Sequence, residues 1–414
     1  MKKILSIMAM SALLVTMAGC TADNNVNGSD GEENIGLKPI PQALMRVQQT
    51  DFARTSNAFA NKLLTVLSAQ PECQGENVCV APMSAQYMLS MVANGVAEDT
   101  VRQNVVSALG FETLDLLNAE NRALLDKLSQ DDEYVKVALA NSVWMDTTSA
   151  PYIPAFKDVM GKFYKAPTMV LDILGDVDGF HNSLNEWAMR NTYGLVQEVH
   201  AGQNKLTGLV LANANCFDGK WAYPFDKADT YDRTFTNADG TEKTVKTMEA
   251  CANFNTYIDE HIQMVELPYG QGYYSMMLIM PTETADLDSI AEHADWWAWH
   301  EQMNDLIQMR IRLPRLEIQN DWKILPLCKN MGINLRSQTA MKAGSREIGL
   351  NKLVQSTVLK VDEDGTRAVS ASVSENVWAI APGSPVMAFN KPFLYAIREN
   401  TTGAILFMGK VVKL

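Results

Sequence analysis

The sequence predicts an α+β fold with a mostly antiparallel or mixed sheet system. Three observations lead there. Helical periods come early, strand-like runs dominate later, and no repeat or proline-rich linker interrupts residues 40–414. The chain has 414 residues, 47% of them hydrophobic, which is ample material for one large core.

The elements follow in order. Asp51–Leu67 carries Phe52, Phe59, Leu63 and Leu67 at helical spacing. Pro82–Leu109 reads as two helices and Leu184–Val196 as another. Val135–Trp144 and the longer apolar run Gly208–Phe217 read as strands. Thr244–Met248, Ile262–Pro268 and Ser275–Met280 do too, and from Val358 onward the signals are nearly all β.

The N-terminus is a separate matter. Lys2 and Lys3 precede an apolar stretch, Ile4–Met17, that is short for a bilayer span. Met17-Ala18-Gly19-Cys20 then supplies small residues and a thiol. This resembles a bacterial lipoprotein signal over residues 1–19, cleaved before Cys20, with lipid on that thiol. Residues 20–39 are polar, acidic and rich in Gly and Asn, and read as a flexible tether. The expected location is the bacterial cell envelope, exported and lipid-anchored, in the periplasm or on the cell surface.

Charge and motifs exclude several classes. The net charge is −13 and no long basic run exists, which argues against nucleic acid. Beyond Cys20 there are five cysteines, an odd number with no C-x-x-C. Cys73 and Cys79 could bridge a short loop; the others read as small buried residues. No metal and no cofactor is expected. Of the five histidines none sits in H-E-x-x-H, and neither G-x-S-x-G nor a P-loop occurs. His293 and His300 lie in a Trp-rich segment read as one helix, where seven-residue spacing would put both on one face. Nothing completes a metal set, so they read as surface or packing residues. The enzyme reading has no positive feature.

A set of ordered segments does carry a signal. Asn77-Val78-Cys79-Val80-Ala81-Pro82-Met83-Ser84 is followed by Ala140-Asn141-Ser142-Val143-Trp144 and by Leu184-Asn185-Glu186-Trp187 with Thr192 and Gly194. Then come Asn213, Phe217-Asp218-Gly219-Lys220-Trp221 and Phe225, Leu267-Pro268-Tyr269, and Leu313-Pro314-Arg315. Glu363-Asp364-Gly365-Thr366, Phe389-Asn390-Lys391-Pro392-Phe393 and Leu406–Val411 close the series. Together they resemble the serpins over roughly residues 45–414, with residues 40–414 forming a single domain. The resemblance implies three β-sheets, eight or nine helices and an exposed reactive-centre loop between Glu363 and Phe389. It also implies a mechanism. A serine protease cleaves the loop and forms an acyl-enzyme, and the loop inserts into the main sheet and traps it.

The loop composition suits insertion. Along a strand alternate side chains face opposite ways. Thr366, Ala368, Ser370 and Ser372 form one small-residue face, which the resemblance turns toward the core. Arg367, Val369, Ala371 and Val373 form the other. Bulk or charge on the inward face would be overpacked or desolvated. Glu363 and Gly365 begin the hinge, and no proline occurs between Gly365 and Pro382. Family spacing puts the scissile bond at Ala379-Ile380, with Trp378 and Ala381 as alternates. Small or aliphatic residues point to elastase-like or subtilisin-like targets, and Trp378 to chymotrypsin-like ones. Cysteine proteases, which also form acyl-enzymes, are within reach of the same chemistry. The gate to insertion is expected at Pro82, Ser84, Asn213, Gln355 and Trp221. Here the family pattern is broken by Ala81 and Gln355, and Gln355 is expected to hydrogen-bond Asn213 and Ser84. The expected activity is suicide inhibition of serine endopeptidases by a monomer. The alternative is a non-inhibitory serpin that binds a partner or ligand.

Overall fold

The computed structural model describes residues 48–128, 133–148, 154–199, 208–282, 286–335, 340–343, 346–349, 353–366 and 383–414. Helix α1 (Asp51–Ser68) starts where the Thr50 hydroxyl accepts from the Ala53 N–H at 3.1 Å, a cap that satisfies a donor of the first turn. Its stripe of Phe52, Phe59, Leu63 and Leu67 is buried. Strand β1 (Val78–Val80) leads into α2 (Pro82–Gly95), with Pro82 in the first turn where no hydrogen bond is lost. Helix α2 is buried almost all round, as befits a helix inside the core. Helices α3 (Asp99–Ala108) and α4 (Leu114–Leu128) pack beside it.

The chain then alternates. Strand β2 (Val135–Asp146), helix α5 (Pro154–Tyr164), strand β3 (Thr168–Leu171), helix α6 (Val177–Asn191) and strand β4 (Leu209–Lys220) follow one another. Next come β5 (Thr230–Thr236), β6 (Glu242–Ile258), β7 (Ile262–Tyr269) and β8 (Tyr274–Pro281). Short helices α7 (Leu287–Glu292) and α8 (Trp296–Glu301) precede β9 (Asn304–Pro314), β10 (Leu316–Lys323) and α9 (Ile324–Leu327). The last part is β: β11 (Ala340–Ala343), β12 (Arg346–Gly349), β13 (Leu353–Val361), β14 (Gly365–Thr366), β15 (Val386–Ala388), β16 (Phe393–Glu399) and β17 (Ala404–Val411).

Three sheets form among the described residues, unevenly. One has nine strands in the order β1-β17-β16-β8-β7-β6-β9-β15, with β5 on β6. The 17-residue β6 makes it continuous, because its start pairs with β5 and its end with β7. The second sheet has six strands, β10-β13-β14-β4-β2-β3, and β11–β12 is a separate hairpin. Leu139, Val143, Leu211 and Leu353 of the six-stranded sheet belong to the main core. Trp144, Val210, Ala212, Ala214 and Val354 meet Phe180, Leu184 and Trp187 of α6 in a second cluster. The alternation along β2, β4 and β13 thus separates two cores.

Two local expectations are revised, and one point left open by the sequence is decided. The helix read as Leu184–Val196 is α6, Val177–Asn191: Asp176 caps it by accepting from Gly179 N at 2.9 Å. Past its end Gly194 takes φ +80 and the Thr192 hydroxyl accepts from Val196 N, which turns the chain out of the helix. His293 and His300 do not share a helix, since His293 ends α7 and His300 lies in α8. Cys73 and Cys79 are both free buried thiols.

His300 instead borders a buried polar cluster. Its Nδ1 lies 3.7 Å from Glu266, whose carboxylate accepts from Arg398 and from Ser275 at 2.6 Å and Asn255 at 3.1 Å. Burial opposes ionisation of Glu266, but Arg398 and the other donors more than offset it and hold its carboxyl below the usual range. Removing one partner of a buried pair leaves the other charge uncompensated. Glu266→Gln should therefore lower native stability by about 3–5 kcal/mol, read as a drop in the denaturant midpoint.

Candidate functional site

The six-stranded sheet is closed at one end and open at the other. Strands β13 and β4 pair in parallel from Leu353↔Leu211 to Thr357↔Asn215. Beyond that they diverge, and Gly365 and Thr366 sit between them. Gly365↔Lys220 and Thr366↔Gly219 pair antiparallel with β4, and Thr366 pairs antiparallel with Val361 of β13. A short strand is thus already wedged into the seam.

The wedge is held by close approach. A Cβ on Gly365 would lie 2.0 Å from the Gly219 carbonyl oxygen and 2.9 Å from Lys220 Cα, so only glycine fits there. Thr366 is buried at 1% exposure and its hydroxyl hydrogen-bonds the Tyr269 hydroxyl. Burial pushes that Tyr269 phenol well above its ordinary pKa, so it stays neutral and able to donate. Tyr269 stacks on Trp221 with centroids 4.4 Å apart. The Trp221 indole donates to Asp362 O at 2.9 Å, and its backbone N–H to Asp364 O at 3.1 Å.

The acidic turn before the wedge is anchored rather than free. Glu363 is 2% exposed and accepts from Arg315 at 2.6, 2.9 and 3.1 Å and from Thr230 at 2.6 Å. Lys227 reaches Asp364 at 3.1 Å. Burial raises the Glu363 pKa, but Arg315 and Thr230 outweigh it and the net direction is down. Asp362, crowded by burial and by Asp364 and Glu363, is pushed up.

The closed end holds a buried polar row. Gln355, Asn213 and Asn141 lie side by side across β13, β4 and β2. The expected bonds from Gln355 to Asn213 and Ser84 are not formed. Gln355 instead clasps the Ala81 backbone, accepting from its N–H at 3.1 Å and donating to its carbonyl at 2.8 Å. Ala81 immediately precedes α2, so this clasp ties β13 to the start of that helix. Ser84 donates to Asn215, and Asn213 donates to Asn141 at 2.8 Å. Asn213 Oδ1 and Asn215 Nδ2 are buried and find no partner among the described residues. Pro82 starts α2 below this row.

Sequence reasoning gave no role to Arg315, Thr230, Tyr269 or Asn215. Asn215 was the most accessible of them, since its spacing of two from Asn213 puts both on one strand face. Arg315 is far from Glu363 in sequence and only the fold joins them. Arg367–Ser372, Trp378, Ala379, Ile380, Ala381 and Cys20 lie outside the described residues. The chain resumes at Gly383, and β15 pairs in parallel with β9 from Val386↔Arg310 to Ala388↔Arg312. Phe389 is buried against Phe393, with centroids 5.3 Å apart. The distal anchor therefore begins at Pro385, whose carbonyl accepts from Arg310 N, and not at Phe389.

Three buried thiols are held in their protonated, unreactive form. Burial pushes Cys79, Cys216 and Cys328 up to about 12.

The comparisons with known proteins agree with this geometry. The family described as "Serpin (serine protease inhibitor)" matches residues 54–414. The chain belongs to the serpin family. Human Serpin B8 is 28% identical over 375 residues, covering 87% of this chain and 98% of that protein. An uncharacterized serpin-like protein of Methanosarcina mazei is 26% identical over 99% of this chain and 97% of its own. Among solved structures, the native thermophilic serpin tengpin superposes with a TM-score of 0.77 at 22% identity, covering 89% of this chain and 96% of its own. Thyroxine-binding globulin in complex with thyroxine gives 0.77 at 20% identity, covering 88% and 99%. The serpin fold carries both kinds of protein, so inhibition has to be argued from this chain's own hinge.

The anchored acid sets a pH dependence. Because the folded pKa of Glu363 lies below its ordinary value, its contribution is complete above about pH 4.5. It is lost as pH falls through the folded value. Amide exchange of residues 362–366 should therefore accelerate below pH 4.5 beyond the intrinsic rate. Glu363→Gln should abolish that acid step, and hydrogen-exchange mass spectrometry checks both.

Proposed function

We propose that this serpin is a suicide-substrate inhibitor of serine endopeptidases, cleaved in the loop that follows Thr366. The observation that carries this reading is the wedge itself. Two strands already part around Gly365–Thr366, with the first inward-facing side chain, Thr366, seated. Cleavage would release the loop from its distal anchor at β15 and let the wedge lengthen.

The register supports the reading further. Continuing Thr366↔Gly219 antiparallel sets Ser370 opposite Asn215 and Ser372 opposite Asn213. Continuing Thr366↔Val361 sets the same serines opposite Thr357 and Gln355. Insertion would thus bring two hydroxyls to the strand face that holds Asn213 Oδ1 and Asn215 Nδ2, the two atoms left without partners. Satisfying a buried polar atom recovers about 1–3 kcal/mol. The inserted state would gain this on top of a fully paired strand, and the native state would forgo it.

The bait is placed at Ala379-Ile380, with Trp378 and Ala381 as neighbouring alternatives. The residues there fit elastase-like, subtilisin-like or chymotrypsin-like enzymes, and cysteine proteases by the same acyl chemistry. A lipid on Cys20 and the tether 20–39 would hold the domain at the bacterial envelope.

Incubation with elastase- and subtilisin-type proteases should give a covalent complex on a denaturing gel. Only cleaved serpin against a broad panel would refute inhibition, and an unchanged melting temperature after loop cleavage would favour a ligand- or partner-binding serpin. Thr366→Arg should turn the inhibitor into a substrate, because a guanidinium cannot occupy the seat against Tyr269. The double variant Ser370→Ala/Ser372→Ala should keep the native melting temperature. It should reduce the rise that follows cleavage, as measured by calorimetry on the cut and uncut proteins.

A further inference from the structure

A second site lies on the nine-stranded sheet, beside the strand that receives the far end of the loop. Arg233 of β5, Glu249 of β6, and Arg310 and Arg312 of β9 converge there. Glu249 Oε2 accepts from Arg233 Nη2 and from Arg312 Nε, each at 2.7 Å, and Oε1 lies 3.2 Å from Arg310 Nη1. Three guanidinium groups face one carboxylate, so two positive charges remain uncompensated in a chain whose net charge is −13. The Nε atoms of Arg233 and Arg310 are buried and find no acceptor among the described residues. A buried donor without an acceptor costs free energy that a bound anion would return.

A cavity of about 400 Å³ opens at this cluster, within the range of small-molecule sites. Arg233 and Arg312 line it together with Thr234, Thr247 and Asn390. Asp232 also borders it, but its carboxylate is held by Lys246 at 3.0 Å. Guanidinium forks match the geometry of tetrahedral oxyanions, and the hydroxyls and amide suit a small polar body.

We propose that this cavity binds a phosphate or sulfate monoester, with its anionic group on Arg233 and Arg312 and its polar body against Thr234, Thr247 and Asn390. Ala388–Asn390 form one wall. An occupant would therefore tie β5, β6 and β9 to the segment that anchors the loop. That segment gains support from it, since β15 is a strand of three residues that, among the described residues, pairs with β9 alone. The site does not depend on whether the loop inhibits a protease, so each reading can fail alone.

The test uses the intact protein at constant ionic strength. Thermal shift and calorimetry compare glucose 6-phosphate and glucose 6-sulfate with glucose, inorganic sulfate and chloride. Vesicles of phosphatidylcholine, with and without phosphatidic acid (a phosphate monoester lipid), form a further arm. The esters should stabilise saturably and slow amide exchange across Val386–Phe389. Arg233→Gln should weaken binding by about tenfold, and Glu249→Gln, which removes the competing carboxylate, should tighten it. Should Arg233→Gln fail to fold, Thr234→Glu places a negative charge in the cavity wall and should also weaken binding. Binding of soluble esters assigns the site to a soluble ligand, and binding of phosphatidic acid vesicles alone assigns it to a headgroup. Stabilisation that is equal for chloride and the esters, that is equal for inorganic sulfate and the esters, or that is indifferent to all three variants would overturn the proposal.

Discussion

The seam between β13 and β4 is the constraint on which the rest of the molecule turns. Its parallel pairing spans Leu353–Thr357 and then gives way to the wedge of Gly365 and Thr366. A sheet that ended there with unpaired strands would expose a row of backbone donors and acceptors. Two residues of hinge cover the start of that gap, and glycine at 365 is what allows the backbones to approach.

Each neighbouring feature serves that seam. Arg315 and Thr230 neutralise a buried Glu363, so the acidic turn can lie inside the fold. Trp221 and Tyr269 form a stacked floor beneath it, and their polar atoms reach Asp362 and Thr366. At the other end Gln355 grips the Ala81 backbone, tying β13 to the start of α2. Ser84 ties the same helix to Asn215 of β4, so one of these two ties has to give way if β13 and β4 separate further. The glutamine reaches the main chain of position 81 with both its amide oxygen and its amide nitrogen.

Much of this was legible beforehand. Helical spacing located α1, which buries one stripe, and apolar runs located α2, β4, β7 and β8, which are buried nearly all round. Of the small-residue face expected at Thr366, Ala368, Ser370 and Ser372, Thr366 lies among the described residues, buried and bonded to Tyr269. The end of α6 was misjudged because the apolar pattern runs on through Leu195 and Val196 while Gly194 has already turned the chain. The single helix drawn through His293 and His300 failed because Asp295 caps a new helix between them, accepting from Ala298 N at 2.9 Å.

The sequence by itself determined the α+β class, the serpin likeness and the alternation of the hinge, because these follow from local spacing and from ordered motifs. Only the tertiary structure decided the partners of buried polar groups. Glu363 with Arg315, Gln355 with Ala81, and Arg233 with Glu249, Arg310 and Arg312 join positions distant in the chain. Their pairing is set by which strands lie side by side, and no local pattern encodes that. The register of the wedge belongs to the same class: Gly365 and Thr366 set it against β4 and β13, which the fold brings together.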